Sequence, residues 1–326
     1  MSCAKIDPAL HQARKPPWIK VRLPSNPVFF STKALISDLR LHTVCESAQC
    51  PNRWECWSQG TATFMIAGDR CTRACGFCAV TTAKPFALEK DEPQRVAEAV
   101  RRMRLKHVVI TAVARDDLKD GGANHFAHVI RAIREMDSSV IVEVLVPDFH
   151  GQEWCIQMVL DAGPDIYNHN METVERLTPL VRSRAKYRTS LQVLRRAREM
   201  SPETVTKSGV MLGLGERETE LFQTMDDLRE VDCQVLTMGQ YLRPSPKHLP
   251  VVDYITPEQF QLYGEIARKK GFQHVASGPL VRSSYHAGRH TQGVEQQSND
   301  YSNDPIFTTV TSNITNLIQI RGRSAD

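Results

Sequence analysis

Six cysteines fall in one short window as two sets of three: Cys45, Cys50 and Cys56, spaced C-x4-C-x5-C, and Cys71, Cys75 and Cys78, spaced C-x3-C-x2-C. Iron–sulfur clusters are commonly held by four cysteine thiolates, so each set leaves one corner without a cysteine. The second set lies in the stretch Cys71-Thr-Arg-Ala-Cys75-Gly-Phe-Cys78, where the small residues Ala74 and Gly76 let a short loop wrap three thiolates around one cubane. An iron with no protein ligand can bind a substrate or cofactor, by the logic of the open position on a catalytic zinc. A structural zinc knuckle also uses C-x2-C pairs, but it normally ends with four protein ligands, and no nearby His or fourth Cys completes this one.

Such a loop needs a rigid mount. Residues 61–67 read as a buried strand ending at Gly68, and the second set follows its C-terminal end. Strands are then expected at 107–113, 140–146, 165–170, 205–214 and 234–239. Helices are expected near 93–105, 124–136, 152–162, 174–181, 191–200, 218–231 and 257–270. Strands of about six residues alternating with longer helices mean βαβ units and a parallel sheet. Six of them predict an α/β fold, a partial (β/α)6 barrel of the TIM type, whose reactive groups collect at the C-terminal ends of the strands. The expected organisation is an N-terminal extension over residues 1–60, the barrel over 61–275, a C-terminal segment over 276–290 and a polar, disordered tail over 291–326. Within the extension, a proline-rich arm precedes a short helix that starts at Ser31 as N-cap.

The chain has 326 residues, 41% of them apolar and 24% charged, ordinary values for a globular protein. A net charge of +4 is too weak, and the basic residues too scattered among acidic ones, to indicate nucleic acid. No apolar run approaches a membrane span or a signal-peptide core. Clustered cysteines without an export signal point to metal rather than disulfides, and to a cytoplasmic protein. Cys155 and Cys233 lack partners at ligand spacing and read as small buried hydrophobes; Cys3 is likewise alone.

The C-x3-C-x2-C spacing with Phe77 before its last cysteine resembles the signature of the radical S-adenosylmethionine (SAM) superfamily. The stretch from Cys45 to Met65, with Gly68 to Val80, more closely resembles the lipoyl synthase family. Further similarity lies at residues 113–123, 167–173, 208–216, 239–245 and 277–285, the last containing Arg282-Ser-Ser-Tyr285. The resemblance covers residues 30 to 290. It implies a 4Fe–4S cluster on Cys71, Cys75 and Cys78 whose open iron chelates SAM. It implies an auxiliary 4Fe–4S cluster on Cys45, Cys50, Cys56 and a serine of the last motif, placed at Ser284 with Ser283 as the alternative, and Arg282 beside it. A serine alkoxide is a less natural iron ligand than a thiolate, so that corner is weakly held, which suits a cluster consumed as sulfur source. The implied reaction inserts sulfur at carbons six and eight of a protein-bound octanoyl-lysine. The implied partners are the octanoylated glycine-cleavage H protein, acyltransferase subunits of 2-oxoacid dehydrogenase complexes, a ferredoxin or flavodoxin reductant and an iron–sulfur carrier protein. Biotin synthase chemistry is the nearest alternative, but it does not predict the upstream C-x4-C-x5-C set. A non-catalytic cluster or zinc protein would show no SAM cleavage.

Five further positions are candidates for the cofactor. Asp116 and Asp117 follow the second strand and precede Gly121-Gly122, where they could meet the SAM amino group or simply cap a turn. Glu143 lies in an otherwise apolar strand; a buried carboxylate is costly unless paired, so it is expected to point into the barrel. Asn168 and Asn170 fall at the end of the fourth strand, at the barrel mouth, with His169 between them structural.

Overall fold

The computed structural model describes residues 14–20 and 26–284. The polar tail, Tyr285 and Cys3 lie outside them. The chain runs α1 (Pro27–Asp38), β1 (His42–Thr43), α2 (Val44–Ser47), α3 (Arg53–Ser58), β2 (Thr63–Ile66), β3 (Arg70–Cys71), β4 (Thr81–Thr82), α4 (Glu92–Met103), β5 (His107–Ala112), α5 (Ala123–Met136), β6 (Ile141–Leu145), α6 (Glu153–Leu160), β7 (Ile166–Asn168), α7 (Thr178–Val181), α8 (Tyr187–Met200), β8 (Val205–Leu212), α9 (Glu218–Glu230), β9 (Val235–Gln240), α10 (Pro257–Lys269) and β10 (His274–Gly278). The main sheet has the order β1-β2-β5-β6-β7-β8-β9-β10. From β2 to β10 every pairing is parallel, and β1 pairs antiparallel with β2.

All six expected strands form. A seventh parallel strand, β10, was not anticipated and crosses the boundary expected at 275. His274-Val-Ala-Ser-Gly278 is too short and too polar to announce itself; it is a strand because β9 offers it an open parallel edge. The first helix begins four residues before Ser31. Its cap is Asn26, whose side chain accepts from Phe29 N at 3.0 Å, with Pro27 at the first helical position.

Alternation along each strand sorts the residues into two sets. Phe64, Ile66, Val108, Ile110, Val142, Val144 and Tyr167 pack outward, against a core shared with Trp57, Val96, Phe126, Ile130 and Ile156. Val210, Leu212, Leu236 and Met238 pack into a second core with Leu221, Met225, Leu228 and Phe260. The opposite parity (Val109, Leu145, Gly209, Met211, Thr237, Gly239) faces an internal cavity. Among the described residues no helix is long and apolar enough to cross a membrane.

Candidate active site

The second cysteine set follows the C-terminal end of β2. Cys71 closes β3, and its sulfur accepts from Arg73 N at 3.4 Å and Ala114 N at 3.3 Å. Two N–H donors fix the position of that sulfur. The Arg73 guanidinium is buried between Asp116 (2.7 Å) and Asp148 (2.8 Å), which ties the loop to the ends of β5 and β6. Gly76 donates to Val181 O at 3.0 Å and accepts from Leu249 N at 2.9 Å; a β-carbon there would meet Leu249 at 2.9 Å. His248 Nε2 lies 3.0 Å from Cys78 O. Phe77 packs against the patch of Val174, Leu177, Leu214 and Tyr241. Burial pushes the Cys75 thiol up to about 11 and the Cys78 thiol up to about 12, and in both the neighbouring cysteines add to the rise.

The first set sits beside the start of β2. Cys50 N donates to Cys45 O at 3.1 Å, and Thr61 N to Cys56 O at 2.9 Å. Burial raises Cys45 to about 11 and Cys56 to about 12, with Cys50 adding to both. The fully buried Trp57 indole N–H has no oxygen or nitrogen acceptor and favours the Cys45 thiolate. β2 spans four residues, roughly 13 Å of chain, between the two sets.

The segment after β10 returns to the first set. Asn52 Nδ2 donates to Leu280 O at 2.7 Å, a bond across 228 residues that joins the two edges of the sheet. The Arg282 guanidinium is lowered by burial and raised by Cys50, so the cation faces the thiols. Gly239 makes room for this segment: a β-carbon there would lie 2.0 Å from Val281 O.

Cys45, Cys50, Cys56, Cys78, Phe77, Arg282, Ser283 and Ser284 all line one cavity of about 710 Å³. Both serines thus open on the same cavity as the first set. All six cysteines are free thiols. Among the described residues no three His, Cys, Asp or Glu side chains are placed to hold a single metal ion. A cubane holds its thiolates on separate irons, farther apart. The N–H donors on Cys71, the Trp57 N–H and the mutual repulsion within each set all fit such a group.

The remaining candidates separate. Asn170 lines the cavity, its Oδ1 buried without a partner, while its Nδ2 donates to Glu172 at 3.0 Å. Glu143 has the inward parity of its strand, and its carboxylate is taken up by neighbouring side chains. It lies outside the cavity lining, fully buried 2.8 Å from Lys207 Nζ, with Asn168 Nδ2 at 3.1 Å. Lys207 drives its carboxyl down to about 2 against the opposing effect of burial. The Asp117 carboxylate is held by Arg115 at 2.9 Å and is not part of the cavity lining. Asp116 serves Arg73, and the turn is capped by Asp120 instead. His169 is structural, donating from Nδ1 to Val146 O and accepting at Nε2 from Ser190. Cys155 and Cys233 are fully buried in the apolar cores.

Glu172 was not singled out in the sequence. It lines the cavity with a left-handed backbone (φ 64°), and burial raises its carboxyl while Arg182 opposes. Its effect on Cys75 and Cys78 places it by the second set. Positive φ at a glutamate is the kind of strain found at functional sites, and no sequence pattern signals it.

The radical SAM superfamily model matches residues 65–228. Lipoyl synthase from Rubrobacter xylanophilus is 55% identical over 85% of this chain and 87% of its own. Lipoyl synthase from Geobacillus kaustophilus is 56% identical over 84% of this chain and 92% of its own. The chain belongs to the lipoyl synthase family. At the level of fold alone, it is similar to the FeFe-hydrogenase maturase HydG from Carboxydothermus hydrogenoformans (TM-score 0.51, 12% identity, 81% of this chain and 69% of that one). Streptococcus suis SuiB bound to S-adenosylmethionine is similar at TM-score 0.52 and 9% identity, over 65% of this chain and 49% of that one. The whole first set and Cys78 of the second, on either side of β2, line one cavity.

Proposed function

We propose that this lipoyl synthase family chain converts a carrier-bound octanoyl-lysine to the lipoyl group inside the cavity between its two cysteine sets. The observation that carries the reading is the shared cavity, with Arg282, Ser283 and Ser284 folded back over the first set. Cys71, Cys75 and Cys78 are the residues for the SAM-binding 4Fe–4S cluster. Cys45, Cys50 and Cys56, with Ser284 or Ser283, are the residues for the second. When bound, these groups supply hydrogen-atom abstraction and sulfur, respectively.

The chain's own residues do the rest. Phe77 and the patch beneath it wall the cavity against water beside the second set. Asn170 Oδ1 is left free to accept a proton donor such as an amino group, and Glu172 holds the other end of that amide. Arg282 offsets the negative charge that three thiolates bring to the first set. A hydroxyl in the fourth place binds iron less firmly than a thiolate would, so sulfur can leave from that side. A ferredoxin- or flavodoxin-type reductant, an iron–sulfur carrier protein to restore the donor, lipoyl-carrier substrates of the H-protein and acyltransferase type, and a cytoplasmic setting complete the proposal.

The test is anaerobic reconstitution with iron and sulfide, then SAM, dithionite and an octanoyl-lysine peptide, followed by mass spectrometry. The expected products are 5′-deoxyadenosine and a peptide carrying two added sulfurs. Deoxyadenosine with unmodified peptide would sink the sulfur-insertion reading.

A further inference from the structure

The cavity reaches past the cysteine sets. Its lining includes Met103, Arg104, Leu105, Lys106 and His107, with Lys15 from the N-terminal arm. Residues 103–107 form the turn from α4 into β5. This mouth therefore lies at the N-terminal ends of the strands, away from Phe77 and Cys78. Lys15, Arg104 and Lys106 are exposed. Among the described residues none of the three has a salt-bridge partner, though Lys106 acts at a distance on Asp137. By contrast Arg101 and Arg102, on the preceding turn, are taken up by Glu98 and Asp38. Arg104 is fixed in a left-handed C-cap (φ 51°), which holds its side chain at the rim.

Just inside, His107 lines the cavity with its side chain only 8% exposed. Its Nε2 lies 3.3 Å from the Glu143 carboxylate, while Nδ1 has no hydrogen-bond partner among the described residues. A buried ring nitrogen left unpartnered at a cavity wall is a place for an incoming polar group.

We propose that this basic mouth is the docking surface for an acidic carrier domain, which feeds its octanoyl-lysine arm into the lumen, with His107 meeting the amide of the arm. The proposal rests on the octanoyl reading above. The arm is thin and apolar except for one amide near its root, and the mouth offers charge outside, one polar group within, then apolar wall. Entering here, the chain passes the first cysteine set before its far carbons approach the second. The far carbons then come to rest between the radical source, which must break each C–H bond, and the sulfur donor, which then supplies the C–S bond to the same carbon. A basic carrier surface would meet uncompensated like charge at this rim.

The experiment combines Arg104→Glu with Lys106→Glu in the full, iron-loaded chain. Two substrates are compared: a folded, acidic octanoylated carrier domain and a short peptide with neutral residues flanking the octanoyl-lysine. KM for the folded carrier is expected to rise roughly tenfold at low salt, and its salt dependence to flatten, as for reversal of two rim charges. KM for the peptide is expected to change by less than about twofold, because the peptide has no acidic surface to lose. In a second variant, His107→Leu raises KM for both substrates and His107→Gln, which keeps a donor, restores it. An unchanged carrier KM overturns the docking surface, as does an equal rise for carrier and peptide. If the unaltered protein adds sulfur to neither substrate, the octanoyl reading itself has failed, a result distinct from both.

Discussion

His169 shows how much of this site is decided by single groups. It is buried, and burial together with Arg182 depresses its imidazole to about 4. Ser190 relays between them, accepting from Arg182 and donating to His169. The native state keeps the ring neutral while the unfolded chain takes up a proton below about 6.5. Stability from this group is therefore full above pH 6.5 and is lost as pH falls toward 4. Denaturant titrations at pH 7 and pH 5 should show this loss, and His169→Gln should flatten it. Asp148 and Glu143, held near 2 by Arg73 and Lys207 against the cost of burial, add their own loss only below about pH 4. The cysteines sort by function rather than by stability. Cys50→Ala is expected to keep SAM cleavage and to lose sulfur insertion, and retained lipoyl formation in that variant would refute the donor assignment. The six cysteines were legible from spacing alone because ligand chemistry fixes their number and separation. Glu172 and Arg73 were not, because nothing in their neighbours announces a strained backbone or a paired guanidinium.

Elements set where those residues meet. The loop between Cys71 and Cys75 is fastened by Arg73 to Asp116 and Asp148. Arg73→Ala would remove the cation held between two carboxylates, leaving Asp116 with Thr72, His150 and Arg184 and Asp148 with the His150 N–H; breaking a buried pair typically costs about 3–5 kcal/mol. It should lower the denaturant midpoint and the iron retained on the second set. Gly239 plays the corresponding part for the first set. Gly239→Ala drives a β-carbon toward Val281 O, so the segment carrying Arg282 and Ser284 must move. Iron content is expected to fall toward roughly half of the wild-type value while circular dichroism stays native, consistent with a local rather than a global change. An unaltered iron content would show that the segment does not hold the first cluster. Strand parity placed Glu143 inward correctly from the sequence. What parity does not reveal is the occupant of the facing strand, and Lys207 on β8 takes that carboxylate first.

At the scale of the molecule, the sheet is hydrogen-bonded from β1 to β10, and Asn52 with Leu280 bridges its edges. The cysteine-bearing extension is thus tied to the segment that follows β10. Raised thiols, at about 11 to 12, are protonated at neutral pH in the metal-free chain. Cluster loading must release those protons, so loading is favoured as pH rises. With ligands drawn, as proposed, from the extension, the barrel and the last segment, loading is expected to stabilise the whole fold. Anaerobic calorimetry should find the loaded protein melting several degrees above the metal-free one, with cluster occupancy at fixed iron and sulfide higher at pH 8 than at pH 6.5. Equal melting temperatures would mean that the ligands are preformed independently of the fold.

The sequence alone determined the two incomplete thiolate sets, the six alternating βα units and the placement of the second set after β2. Ligand stoichiometry and side-chain periodicity are local properties, readable residue by residue. Tertiary structure alone decided that Asn52 reaches Leu280, that Arg282 lines the same cavity as Cys50, that Lys207 neutralises Glu143 and that Cys78 opens on the cavity of the first set. Each of these joins residues tens to hundreds of positions apart, and a chain's local pattern carries no record of which distant group will lie across a closed sheet.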